Sequence, residues 1–193
     1  MGRVSKDQAA KNRQTVVEGA AKLFQEHGLK GIAIADLMAA AGLTHGGFYR
    51  QFASKDEVAG EACAHAMRRA VTSWQTIAAR HPPEDRLSAI ADAYLSKKPA
   101  VHGCPMPTLA TDVAREPAGS PVRKAFTAGV DALATQLVDA VSNDDEAKKR
   151  DQALSLLAAM VGAVALSSAI DDETLAEDIR NAVRHLAAYT YPG

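Results

Sequence analysis

At 193 residues and 47% apolar content the chain can bury a real core, as one domain or two small ones. Its 5% aromatics and heavy use of alanine argue against sheets and for closely packed helices, and its net charge of −1 excludes any nucleic-acid argument from bulk charge. Residues 1–58 hold eight Lys/Arg against six Asp/Glu and the remainder fourteen against seventeen, so only the placement of charge can speak for such a partner.

Residues 1–5 read as an arm with one basic residue, Arg3, and Lys6, Lys11 and Arg13 carry the basic trend into a first helix. Val17, Ala20, Ala21 and Phe24 form its apolar face, and Gly28 closes it. The stretch Ile32–Lys55 organises the rest of the chain. Ile34, Leu37, Met38 and Ala41 stand at i, i+3, i+4 and i+7, which puts four side chains on one helix face. Gly42 supplies the left-handed residue that ends this helix. A second helix starts at Thr44 as N-cap, with Phe48 and Phe52 inward and Thr44, His45, Tyr49 and Arg50 outward. Two short helices about a glycine turn form a helix-turn-helix, whose second helix is presented to a DNA groove. Ser54-Lys55-Asp56-Glu57 is a capping box for a third helix, and Lys55 in its first turn opposes the helix dipole, which points to an anionic partner.

That third helix reads on to about Arg80, where His81-Pro82-Pro83 stops it. A helix from about Glu84 to Lys97 follows, then an irregular segment, Pro99 to Pro107, holding His102-Gly103-Cys104. Further helices are expected from Met106 or Thr108 to Arg115 and from Val122 to Val141. After the capping loop Ser142 to Asp145 comes an uncharged stretch, Ala153 to Ile170. It reaches the lower length limit for a membrane span, but its alanine, glycine and serine content reads as a buried soluble helix, with no membrane partner. The last helix, from Asp172 to about Ala188, carries Leu175, Ile179, Ala182, Val183 and Leu186 as its stripe.

From about Asn12 to Val58 the sequence resembles the DNA-binding domain of the TetR family of bacterial repressors. The residues that carry the resemblance are Ala20 and Phe24, Gly28-Leu29-Lys30-Gly31, Asp36-Leu37, Ala41-Gly42-Leu43-Thr44, the block Gly46 to Phe52, and Ser54-Lys55-Asp56-Glu57. The resemblance covers roughly a quarter of the chain, and beyond it implies only an all-helical ligand-binding and dimerisation domain. The expected architecture is therefore all-α, about nine helices, with a three-helix helix-turn-helix domain at 1–53 and a ligand-binding and dimerisation domain at 54–193. The expected protein is a cytoplasmic, ligand-responsive transcriptional regulator, most readily a repressor. It would bind a double-stranded operator as a homodimer and respond to a small-molecule effector, with no cofactor.

By the resemblance, Thr44, Tyr49 and Lys55 meet phosphates, and His45, Gly46, Gly47 and Arg50 face the groove. Gly46 and Gly47 also have a physical reading of their own. Two glycines in a short exposed helix cost about 1 kcal/mol each against alanine, so a bare backbone there points to close approach by a partner. Ala33 departs from the family pattern, in which a Ser or Thr caps the second helix. The larger side chains turned inward in the second domain, Trp74, Tyr94, Met106, Leu109, Phe126, Val130 and Met160, are expected to line an effector site, with His102, Cys104 or Thr108 as polar handles. Cys104 beside His102 also has the chemistry of an electrophile or redox sensor, although a small packed residue is the preferred reading. Zinc is disfavoured, since Cys63 and His65 at i and i+2 of a helix point different ways. No enzyme constellation appears. A helical carrier or enzyme with a vestigial DNA-binding head is the alternative of another class, and it predicts no salt-sensitive DNA binding.

Overall fold

The computed structural model describes residues 6–96, 104–141 and 145–190, the side chains of 189 and 190 excepted. The described residues are helical with no strand, in eight α-helices: α1 (Lys6–His27), α2 (Ile34–Ala40), α3 (Lys55–Ala78), α4 (Arg86–Tyr94), α5 (Met106–Ala114), α6 (Pro121–Val138), α7 (Glu146–Ala169) and α8 (Glu173–His185). A 3-10 helix, His45–Arg50, lies between α2 and α3, and a π-helical turn, Leu186–Thr190, extends α8. The chain gathers into two compact units, one from Met1–Arg68 and Val101–Ala128, the other from Arg69–Ala100 and Gly129–Gly193.

The first unit is built on the apolar face of α1. Val16, Val17, Ala20, Ala21 and Phe24 are buried, as are Leu37 and Met38 of α2, while Ile34 and Ala41 at the ends of the expected stripe are half-buried. The chain leaves α2 through a Schellman motif: Leu43 N–H donates to Met38 C=O at 2.9 Å and Gly42 N–H to Ala39 C=O at 2.9 Å. Gly42 sits at φ +67°, as the sequence requires. No serine or threonine caps α2. The Asp36 carboxylate accepts from Ala33 N–H at 2.8 Å, so the side-chain half of a capping box is kept where the hydroxyl half is missing.

In the second unit α7 packs along α8. Asp145 caps α7 by accepting from Ala147 and Lys148 N–H, and Asp172 caps α8 by accepting from Thr174 and Leu175 N–H. Ala153, Leu156, Leu157, Met160 and Ala163 of α7 are buried, yet only 28% of its most apolar 18-residue window is buried inside the chain. By length and composition alone α7 could cross a membrane. Less than a third of that window is thus buried, and Leu154 and Leu166 stand exposed. The stripe of α8 is likewise only partly covered. Leu175 and Ala182 are exposed and Ile179, Val183 and Leu186 half-buried, while Ala176 and Arg180 take the buried side. Arg180 is neutralised there by Glu177 at 3.0 Å and Glu173 at 3.7 Å.

Candidate nucleic-acid interface

The segment after Gly42 is shorter and tighter than an α-helix. Thr44 enters it extended (φ −82°, ψ 146°) and accepts Gly47 N–H on its backbone carbonyl at 3.0 Å. Its hydroxyl makes no capping bond, contrary to the N-cap expected from sequence. Phe48 and Phe52 anchor the turn from below, both buried, with ring centroids 5.6 Å apart. Tyr49 stands edge-on to Phe48 at 5.1 Å and is 68% exposed. Thr44, His45, Gly46 and Arg50 are exposed and Gly47 half-buried, so the turn presents six of the seven candidate contact residues.

The two glycines differ. A Cβ on Gly47 would touch Met38 Cε at 3.5 Å, an ordinary contact, and a Cβ on Gly46 would meet nothing within 4 Å. Neither residue has a positive φ. Among the described residues, therefore, no neighbour and no backbone strain accounts for the missing side chain at Gly46.

The seventh candidate, Lys55, is half-buried, and its Nζ donates to Leu29 C=O at 2.9 Å. The cation that sequence reading assigned to an anionic partner thus has an internal acceptor as well. Leu29 N–H in turn donates to Asp112 Oδ2 on α5 at 2.8 Å. Sequence reading missed Asp112 because its partner is a backbone amide far away in the chain. The capping box of α3 forms with a one-residue shift: Ser54 Oγ accepts from Glu57 N–H at 3.1 Å, and Glu57 Oε2 accepts from Ala53 N–H at 2.6 Å. That amide bond, and then Arg13, hold the Glu57 carboxyl below the usual glutamate range. Arg13 also pairs with Glu61 and lies 4.1 Å over the Phe52 ring. It is a rivet between α1 and α3 rather than part of a free basic arm. Arg3 lies outside the described residues.

The candidate effector residues divide between the units. Trp74 and Tyr94 meet edge-to-face at 5.7 Å in the second, where Met160 is buried and Val130 half-buried. Met106 and Leu109 are buried in the first, with Phe126 half-buried. Thr108 is exposed and its hydroxyl donates to Pro105 C=O at 3.2 Å, so its donor is already used. His102 lies outside the described residues. Cys104 is half-buried and Cys63 buried. Burial, with a smaller repulsion from Cys104, pushes the Cys63 thiol up to about 12. Among the described residues no group of three His, Cys, Asp or Glu is placed to hold a metal.

Residues 16–62 match the family model of bacterial regulatory proteins of the tetR family. No curated protein matches the chain. Among solved structures it is similar to a TetR transcriptional regulator from Chloroflexus aurantiacus J-10-FL (TM-score 0.77, 26% identity, 96% of this chain and 98% of that one). It also resembles a TetR-family regulator from Cytophaga hutchinsonii (TM-score 0.81, 20% identity, 99% and 98%) and the reduced form of E. coli NemR (TM-score 0.75, 18% identity, 90% and 95%).

Proposed function

From a chain that carries the TetR-family N-terminal domain at residues 16–62 and shares the fold of that family's transcriptional regulators, we infer a cytoplasmic, ligand-responsive repressor. It binds a palindromic operator as a homodimer, using 1–53 as the DNA-reading domain and 54–193 for effector binding and dimerisation. The observation that carries the reading is the turn His45–Arg50, an exposed tip on a buried two-phenylalanine base, with a bare backbone at Gly46 that the fold does not need. A groove-facing backbone is one that DNA can approach closely. The effector is small and mostly apolar, in keeping with the larger apolar side chains that the sequence turns inward. Release follows only if the effector favours a state in which the two reading heads stand at another spacing, and operator and effector then weaken each other by the same factor.

The test is selection from a random duplex library, followed by binding at graded salt. Affinity for the selected site should fall by about three to five decades between 50 and 200 mM salt if roughly six to ten phosphates are neutralised. Tyr49→Phe should weaken all sequences alike, whereas Arg50→Ala should relax preference at particular bases. Failure to enrich any sequence, together with salt-insensitive retention, would favour the carrier or enzyme with a vestigial head.

A further inference from the structure

We propose that Asp112 is a positioning residue of the DNA-reading surface, acting from α5 through Leu29 on the Lys55 ammonium. The proposal rests on the DNA-binding reading above. Its ground is a short chain of contacts inside the first unit. Asp112 Oδ2 accepts Leu29 N–H at 2.8 Å, and Leu29 C=O accepts Lys55 Nζ at 2.9 Å. The approach is built into the sequence: Gly28 has φ +76°, and a Cβ there would lie 2.6 Å from Asp112 Oδ2. Only glycine both takes that conformation and leaves room for the carboxylate. The other carboxylate oxygen is 3.5 Å from the guanidinium of Arg115, a residue two-thirds exposed, so the bond to Leu29 is the closer of the two.

The physical consequence concerns preorganisation. A lysine ammonium has three donors, and Leu29 C=O takes one, which leaves two for a phosphate. A lysine already held at one donor loses less side-chain freedom on meeting DNA than a solvated one. The carboxylate fixes the Leu29 end of this arrangement with a charge-assisted bond. Since α5 also carries Met106 and Leu109, both buried, a displacement of α5 moves the carboxylate and loosens Lys55. The helix that holds part of the candidate effector lining is thereby in hydrogen-bond connection with a phosphate contact.

The experiment is a double-mutant cycle on the full chain, read by anisotropy with the selected operator duplex over a range of salt, alongside thermal unfolding without DNA. Asp112→Ala should weaken binding about three- to tenfold, the range of one lost hydrogen bond. The salt slope should fall by about one, as for Lys55→Ala, and the double variant should bind no more weakly than Lys55→Ala alone. Asp112→Asn, which keeps an acceptor and supplies a milder test should the alanine variant not fold, should lie between. Losses that multiply in the double variant, or an Asp112→Asn protein with wild-type affinity and slope, would overturn the proposal. If the wild-type chain bound no duplex at all, the regulator reading would fail instead.

Discussion

At position 46 the backbone is bare although a side chain would fit, with no neighbour within 4 Å of a built Cβ and no left-handed φ. Glycine in such a place loses more conformational freedom on folding than alanine, by about 0.5–1 kcal/mol. Gly46→Ala should therefore unfold at the same temperature or slightly higher, while binding its operator more weakly. A thermal melt beside a gel shift checks both halves, and unchanged affinity would remove Gly46 from the reading surface. A second residue-scale expectation comes from Cys63, whose thiol is pushed up to about 12 by burial. The folded chain keeps a proton there that the unfolded chain releases near 8.5, so this residue's contribution to stability is present below about pH 8.5 and declines as pH rises toward 12. In native protein at pH 8 a thiol reagent should leave Cys63 unmodified, and denaturant should expose it. Rapid modification of both cysteines in the native state would contradict the burial.

Among the elements, the turn after α2 shows what can be read from sequence and what cannot. Gly42 was legible because a Schellman ending leaves a fixed mark, a residue at positive φ followed by an apolar one. Gly42→Ala should cost about 1–2 kcal/mol, seen as a lower midpoint in urea, since a Cβ is strained at φ +67° even with free space around it. The next element was read correctly in place and outward face but not in type. The six residues, two of them glycines, form a 3-10 turn seated on the buried Phe48, with the buried Phe52 just beyond it. The capping loop that ends at Asp145 and the start of the last helix near Asp172 were legible from local residue type, and both aspartates prove to be N-caps. Arg13 and Asp112 were not, since their partners lie 44 and 83 residues away and no periodicity records a single polar contact. The exposed Thr108 shows the same limit: helical spacing places a residue on a face without saying which neighbour covers that face.

On the scale of the whole molecule, α7 and α8 leave apolar surface exposed among the described residues. Leu154, Leu166 and Leu175 are exposed, Ala158 and Ala169 are exposed beside them, and a Cβ on Gly162 would meet nothing within 4 Å. The stretch Ala153–Ile170 reads from sequence as carrying more apolar surface than one small domain covers, and the exposed Leu175 and Ala182 add part of the α8 stripe to the surface left open. A second copy is the occupant that also suits the DNA reading, as a two-fold dimer presents two reading turns to two half-sites. Small residues at 158, 162, 165 and 169 let two backbones approach closely, and Asp or Glu among them would be buried without a counter-charge. Ala165→Glu should therefore sediment as a monomer, or unfold if the monomer is not stable alone. A folded monomer should bind an isolated half-site about as the wild type does but lose the gain from a full palindrome. Ala165→Ser, small and uncharged, should remain dimeric and separate a steric or charge effect from loss of fold. An Ala165→Glu protein that stays a stable dimer at micromolar concentration and binds the palindrome normally would place the interface on another face of the chain.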